Sequence, residues 1–301
     1  MLDDRLTEQR NPASSSIDTL SAQEIADLIN EEDRRVADAV HQERENVATA
    51  MELVVSTFRK GGRLIYVGAG TSGRLGVLDA AEMPPTYGTD PEMVQGIIAG
   101  GYGALVRAKE GAEDVPADGA KEVDERGVGP DDFVLGIATS GTTPFVHGAL
   151  HRARERGAKT GFLLCTQPSK ELLARHDVVI APLVGPEVVT GSTRMKAGTA
   201  TKLILNTITT GAMVLMGKVH GNLMVDLQVT CDKLQDRGER ILMTTTDADR
   251  NRARHVLHDA GGSVKVAIVM AATGVDAHEA RARIEAAEGR LAVVLAETHA
   301  R

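Results

Sequence analysis

The stretch Leu64-Ile65-Tyr66-Val67-Gly68-Ala69-Gly70-Thr71-Ser72-Gly73-Arg74 decides the architecture. Its first four residues are apolar without a break, the pattern of a strand covered on both faces. Glycines and hydroxyls follow at once, and a helical pattern begins behind them. Four further apolar runs repeat the theme, at residues 94–99, 133–138, 160–165 and 178–183. Helical segments lie between them, most clearly at 146–156. This alternation predicts an α/β fold: a doubly wound five-stranded parallel sheet whose ligand sits beyond the carboxyl ends of its strands.

Upstream, residues to about Leu20 read as irregular, with Asn11-Pro12 and Ser14-Ser15-Ser16. Ser21 and Glu24 form a capping box, and helical periodicity then runs to Lys60, where Gly61-Gly62 ends it. Downstream of Gly191 the pattern is helical to the end. Residues 197–219 are apolar on nearly every face, which places them in a core or a subunit interface. Thr244-Thr245-Thr246-Asp247 reads as a linker, followed by three short amphipathic segments near 248–260, 264–272 and 277–287. The expected organisation is therefore an N-terminal arm and helices at 1–60, the α/β domain with its following helices at 61–243, and a small three-helix module at 244–301.

Composition removes several function classes. Aromatic residues are 2% of the chain with no Trp, too few for base-stacking platforms. A net charge of −8 opposes nonspecific binding to nucleic acid or anionic membranes, so no nucleic acid and no membrane partner is expected. No apolar run is long enough to span a bilayer. Met1-Leu2-Asp3-Asp4-Arg5 lacks the apolar stretch of a signal peptide. Cys165 and Cys231 have neither metal-knuckle nor redox spacing, so a reducing, cytoplasmic setting is expected.

The loop after the first strand matches G-x-G-x-x-G, the dinucleotide fingerprint. That reading needs an acidic residue at the carboxyl end of the second strand, yet the strand closes in Ala99-Gly100-Gly101. Gly70, Thr71, Ser72 and Gly73 instead offer hydroxyls and helix-start N–H groups to a phosphate; a glycine-rich turn built only for steric reasons is the alternative. A second turn, Thr139-Ser140-Gly141-Thr142-Thr143-Pro144, follows the third strand, with Thr143 able to cap a helix whose first turn holds Pro144. Neither turn carries a Walker lysine, which argues against a nucleoside triphosphate. A third segment, Glu187 to Thr199, puts Ser192, Arg194 and Lys196 at the start of the long apolar helix. Cations sit poorly at a helix N-terminus, so their presence there suggests a bound anion.

Two carboxylates complete the set. Glu82 precedes Met83-Pro84-Pro85, where the prolines should end the helix launched at the first glycine turn. A carboxylate at a helix C-terminus faces the negative pole, which favours its protonated form and suits a general acid. Glu113 lies in the glycine-broken stretch Glu110-Gly111-Ala112-Glu113-Asp114. Taken singly, either is most simply a solvated surface residue. The histidines lack ligand spacing, so no metal and no cofactor is expected; His220, near Asp226, is the one kept as a pocket candidate.

Together the segments at 68–74, 78–86, 110–114, 136–146, 187–199 and 217–226 resemble the signature segments of the N-acetylmuramic acid 6-phosphate etherases. Thr7-Glu8-Gln9-Arg10-Asn11 and Ser16-Ile17-Asp18 resemble that family's N-terminus, and the likeness runs from about Leu6 to the last helices. Thr139 and Thr142 beside Ser140, and Met83 after Glu82, depart from the family pattern. The resemblance implies a carbon–oxygen lyase that recycles cell-wall amino sugar in the cytoplasm. Its substrate would be an amino-sugar phosphate, its quaternary state a homodimer, and its last helices a ubiquitin-associated-like module. It implies that Glu82 donates a proton to departing lactate and that Glu113 is the second acid–base carboxylate. Ser72, Ser140 and Thr143 would hold the phosphate.

The chemistry agrees with this. An alkyl ether resists direct hydrolysis, but the open-chain sugar has an aldehyde at C1 that acidifies the C2 proton. A carboxylate base and an acid then suffice for elimination, with Arg194 or Lys196 available to the enolate oxygen. An aldose–ketose isomerase would need the base but no leaving-group acid. A non-catalytic sugar-phosphate sensor would need an output module such as a basic recognition helix.

Overall fold

The computed structural model describes residues 5–226, 229 and 232–299. Its contacts divide the chain into two compact units, one comprising residues 1–81 and 91–209, the other 82–90 and 210–301.

The first unit opens with an arm of three short 3₁₀ turns, then α1 (Ala22–Gln42) and α2 (Arg44–Arg59). The capping box of Ser21 and Glu24 is present. One residue, Glu43, leaves helical geometry at φ −91°, ψ 7° and separates the two helices. Neither Gly nor Pro marks that break, so periodicity reads straight through it. Then follow β1 (Leu64–Gly68), α3 (Gly70–Tyr87), β2 (Val94–Ile98), α4 (Gly103–Val106), α5 (Pro116–Glu125), β3 (Phe133–Ile137), α6 (Pro144–Glu155), β4 (Lys159–Leu163), α7 (Lys170–Arg175), β5 (Val178–Ile180) and α8 (Lys196–Leu215).

All five strands are parallel, in the order β2-β1-β3-β4-β5. The chain passes from β1 to one side and returns on the other with β3, so the order reverses between β1 and β3. Gly68 pairs in register with both Ile98 and Ile137. The turns after β1 and β3 therefore leave one sheet edge side by side, about 5 Å apart in the strand-to-strand direction. That is the switch point at which sheets of this order bind ligands. β1 and β3 are buried at every position, as their unbroken apolar sequence requires. Ile65, Val67, Val134, Val146, Leu150 and Phe162 form the core of one face.

Beneath α3 lies a polar knot. The carboxylate of Asp79 accepts from Tyr66 Oη at 2.8 Å, Asn206 Nδ2 at 2.6 Å and Thr209 Oγ1 at 3.2 Å. Burial pushes Asp79 upward despite these donors. Satisfied on this scale, a buried carboxylate fixes α3 and α8 on β1 in one register.

The second unit holds a hairpin of two-residue strands, β6 (Val219–His220) and β7 (Leu223–Met224). It continues with α9 (Asp232–Thr245), α10 (Arg250–Asp259), α11 (Val264–Thr273), α12 (Ala277–Ala286) and α13 (Leu291–His299). The stretch after Gly191 is thus not helical throughout, since the hairpin turns on Gly221-Asn222. Thr244 and Thr245 belong to α9 rather than to a linker, and α13 adds a helix that the amphipathic pattern does not mark. Asp249, Ser263 and Asp276 cap α10, α11 and α12. Ile241, Leu242, Leu257, Val264, Ile268 and Leu291 build a core within this unit. Cys165 is buried in the first unit, where burial and then Glu187 push its thiol up to about 12; Cys231 lies outside the described residues.

Candidate functional site

Between the end of β1 and the start of α3 stands a single residue, Ala69. Most of the expected loop is therefore the first turn of a helix. Two glycines make so short a junction possible. A Cβ on Gly68 would fall 2.6 Å from Gly73 N, and one on Gly73 would fall 2.8 Å from Gly68 O. Gly70 holds φ +53°, a conformation that side chains resist. The first intrahelical bond runs from Gly73 N–H to Ala69 O at 3.2 Å. The N–H groups of Gly70, Thr71 and Ser72 precede it and point out of the helix start. Ser72 is only 8% exposed, yet its hydroxyl makes no hydrogen bond to any described residue. Unpaired donors at a helix N-terminus are suited to an anion. Arg74 is committed elsewhere, donating to Leu105 O at 3.0 Å and Ala104 O at 2.6 Å.

The neighbouring turn, after β3, is held from below. Gly141, at φ +77°, donates to Ala138 O at 2.8 Å, and Cys165 N–H donates to Thr139 O at 2.8 Å. Ser140 and Thr142 pair through their hydroxyls at 3.0 Å, and a ring nitrogen of His147 lies 2.8 Å from Gly141 O. Thr143 occupies the N-cap of α6 ahead of Pro144, but its side chain makes no capping bond. The capping role expected of that hydroxyl is not taken up, which leaves it available to a ligand. A Cβ on Gly198 would stand 3.6 Å from Thr71 Cγ2, so the start of α8 lies against the start of α3. Three hydroxyl-bearing segments therefore meet at one end of the sheet.

Lys196 does not face that meeting point. It is 2% exposed, and its ammonium lies 2.5 Å from Glu32 Oε2, itself on a residue 3% exposed. Glu187 accepts the N–H groups of Lys196 at 3.0 Å and Ala197 at 2.9 Å, so a buried carboxylate caps α8. The anion that a cation at a helix start calls for is thus supplied by the chain itself. Arg194 is exposed and Ser192 half-buried on the same segment.

Glu113 sits in a 3₁₀ turn, Ala112–Asp114, launched by Gly111 at φ +73°. It lines a cleft of about 200 Å³ with Gly70, Arg74, Lys109 and Glu110. A carboxylate and a helix start with free donors therefore share one cavity. Glu82 is exposed on α3, in the second unit. Pro84 and Pro85 do not end the helix before them; α3 carries both and closes after Tyr87, with Gly88 N–H on Pro84 O at 2.9 Å. Glu82 is therefore an interior helix residue rather than a terminal one. His220 is half-buried in β6. Among the described residues no group of three His, Cys, Asp or Glu is placed to hold a metal ion, and no helix is long and apolar enough to cross a membrane.

Sequence reasoning missed Arg5. Its Nη1 donates to Thr142 Oγ1 at 2.9 Å across 137 positions of sequence, and no periodicity or motif signals so distant a contact.

The fold and the paired hydroxyl turns define a protein of the sugar isomerase (SIS) type. Residues 46–154 match the family described as the glucokinase regulatory protein N-terminal SIS domain. The fold is also that of the phosphoheptose isomerase from Neisseria gonorrhoeae, with a TM-score of 0.50 and 20% identity over 64% of this chain and 100% of that one. The chain is 54% identical to the N-acetylmuramic acid 6-phosphate etherase of Salinibacter ruber, covering 96% of this chain and 93% of the relative. To the etherase of Photorhabdus laumondii it is 48% identical, covering 96% and 95%. The chain belongs to the N-acetylmuramic acid 6-phosphate etherase family.

Proposed function

We propose that this protein cleaves the D-lactyl ether of N-acetylmuramic acid 6-phosphate, releasing D-lactate and N-acetylglucosamine 6-phosphate. The observation that carries the reading is the shared cavity, where the unpaired donors at the start of α3 adjoin the cleft lined by Glu113. A phosphate seated on Gly70, Thr71, Ser72 and Gly73 accepts from backbone and hydroxyl together. Thr139, Ser140, Gly141 and Thr143 enclose it from the neighbouring turn, and Ser192 and Arg194 from the start of α8. Lys196 is left out of this set, since its charge is met by Glu32.

With the phosphate fixed, the sugar extends into the cleft. Glu113 removes the C2 proton of the open-chain aldehyde, and the electron pair passes into an enolate. Glu82 protonates the ether oxygen at C3 as the enolate pair forms the C2–C3 double bond, and lactate departs with the electron pair of the broken carbon–oxygen bond. Water adds at C3 of the resulting unsaturated aldehyde, and a proton returns to C2. Backbone N–H groups or Arg194 stabilise the enolate oxygen. The reaction calls on no metal or cofactor.

The proposal extends to a cytoplasmic homodimer that handles cell-wall amino sugar. Supporting the dimer, Leu78 on α3 and Tyr102 and Val106 at α4 are exposed apolar side chains. They share one side of the unit, because Arg74, one turn before Leu78, is bonded to α4. A patch of this kind marks an interaction surface.

Reaction in H₂¹⁸O tests the route. The label should enter C3 of the amino sugar and be absent from lactate. Label in lactate would mean attack on the lactyl carbon, and the elimination would have to be abandoned.

A further inference from the structure

We infer that Arg5, on the N-terminal arm, is a substrate-positioning residue that holds the phosphate through the Ser140–Thr142 hydroxyl pair. The inference rests on the sugar-phosphate reading above and adds to it a cation from outside the α/β domain.

The arm is held down before it reaches the turn. Leu6 N–H lies 3.4 Å from Thr166 Oγ1, Gly191 N–H donates to Thr7 O at 3.3 Å, and Asn11 Nδ2 donates to Glu32 at 2.8 Å and to Pro186 O at 3.2 Å. Thr7, Asn11 and Ser14 are buried. Arg5 is thus delivered to the β3–α6 turn by a fixed segment.

The hydrogens at the turn can be counted. A guanidinium only donates, so Thr142 Oγ1 accepts from Arg5. Ser140 Oγ accepts from Thr142 N–H at 3.4 Å. The single contact between the two hydroxyls, at 3.0 Å, uses one of their two hydrogens. The other has no acceptor among the described residues. A cation at one end of the pair polarises it and leaves that last O–H as a donor for an external anion. Of the other cations that the sequence places in these segments, Arg74 donates to two carbonyls and Lys196 is paired with Glu32, while Arg194 is exposed ahead of α8. In a chain of net charge −8, a phosphate dianion needs such local positive charge.

The test compares Arg5→Gln, Arg5→Lys and Thr142→Val in the full chain. Readouts are KM and kcat for N-acetylmuramic acid 6-phosphate, and the affinity for inorganic phosphate by calorimetry. Arg5→Gln should raise KM and weaken phosphate binding by about 10- to 100-fold, with the loss on KM rather than kcat. Arg5→Lys should recover part of it, keeping the charge but not the fork. Thr142→Val should reproduce most of the loss, and the Arg5→Gln/Thr142→Val pair should cost little more than either single change. If Arg5→Gln keeps wild-type KM and phosphate affinity, Arg5 merely ties down the arm and the inference is wrong. If Arg5→Lys is no better than Arg5→Gln, charge is not what Arg5 contributes, and the inference fails equally. Phosphate calorimetry needs no turnover, so a wild-type protein that releases no lactate would count against the etherase reading and leave this result standing.

Discussion

Replacing Lys196 by Met separates a structural ion pair from a substrate ligand. The ammonium and Glu32 Oε2 are 2.5 Å apart and both residues are almost fully buried. At an effective dielectric near 20, unit charges at that separation attract by about 6–7 kcal/mol. Glu32 keeps Asn11 at 2.8 Å and Arg35 at 3.1 Å after the substitution, so the loss is smaller. About 3–5 kcal/mol is expected for stranding one member of a buried pair, a large part of the roughly 5–15 kcal/mol that holds a domain together. Urea unfolding followed by circular dichroism at neutral pH should show the midpoint fall sharply. The effect should depend on pH. Burial pushes Glu32 up, but Lys196 and Asn11 outweigh it and hold the carboxyl below its ordinary value. A carboxylate held low stabilises the fold above its unfolded pKa of about 4.3, and that contribution disappears as pH falls through the lower folded value. Without Lys196 the largest cause holding Glu32 low is gone, Glu32 takes up a proton more easily, and the penalty of the variant shrinks as pH falls toward the unfolded value of about 4.3. Glu32→Leu combined with Lys196→Met should restore much of the stability, because no buried charge remains. A Lys196→Met protein that unfolds like the wild type, but binds substrate poorly, would refute this and return Lys196 to the substrate site.

Other substitutions probe the site itself. Ser72→Ala and Ser140→Ala should each weaken substrate binding by about 1.5–3 kcal/mol, the worth of one hydrogen bond to a charged group; unchanged affinity in both would make the turns purely structural. Glu82→Ala should stop lactate release yet still exchange the C2 proton with D₂O, whereas Glu113→Ala should lose both; the opposite pattern would exchange the two roles. EDTA should leave turnover intact, and loss restored by Zn²⁺ or Mg²⁺ would oppose the metal-free mechanism.

The sheet is legible in the sequence because β1 and β3 are buried on both faces and consist of apolar residues almost without interruption. The glycine turn after β1 is legible in the sequence as a tight junction before a helix, but its boundary is not. Hydroxyls and glycines look like a loop, whereas Gly70 starts α3 and Gly73 lies in its first turn. Pro84 and Pro85 look like a stop, but α3 carries both near its end and closes after Tyr87. The hairpin at Val219–Met224 escaped notice because strands of two residues are too short to set up an alternation. The largest omissions are contacts distant in sequence. Lys196 meets Glu32 across 164 positions and Arg5 meets Thr142 across 137, and local pattern carries no information about either.

The central claim is that this chain breaks the lactyl ether of a 6-phosphorylated amino sugar. Incubating the purified protein with N-acetylmuramic acid 6-phosphate, and with the same sugar lacking its phosphate, tests it directly. D-lactate and N-acetylglucosamine 6-phosphate should form in equal amounts from the first substrate, with little or none from the second. Conversion of the phosphorylated sugar to a ketose isomer without lactate, or no conversion at all, would contradict the account.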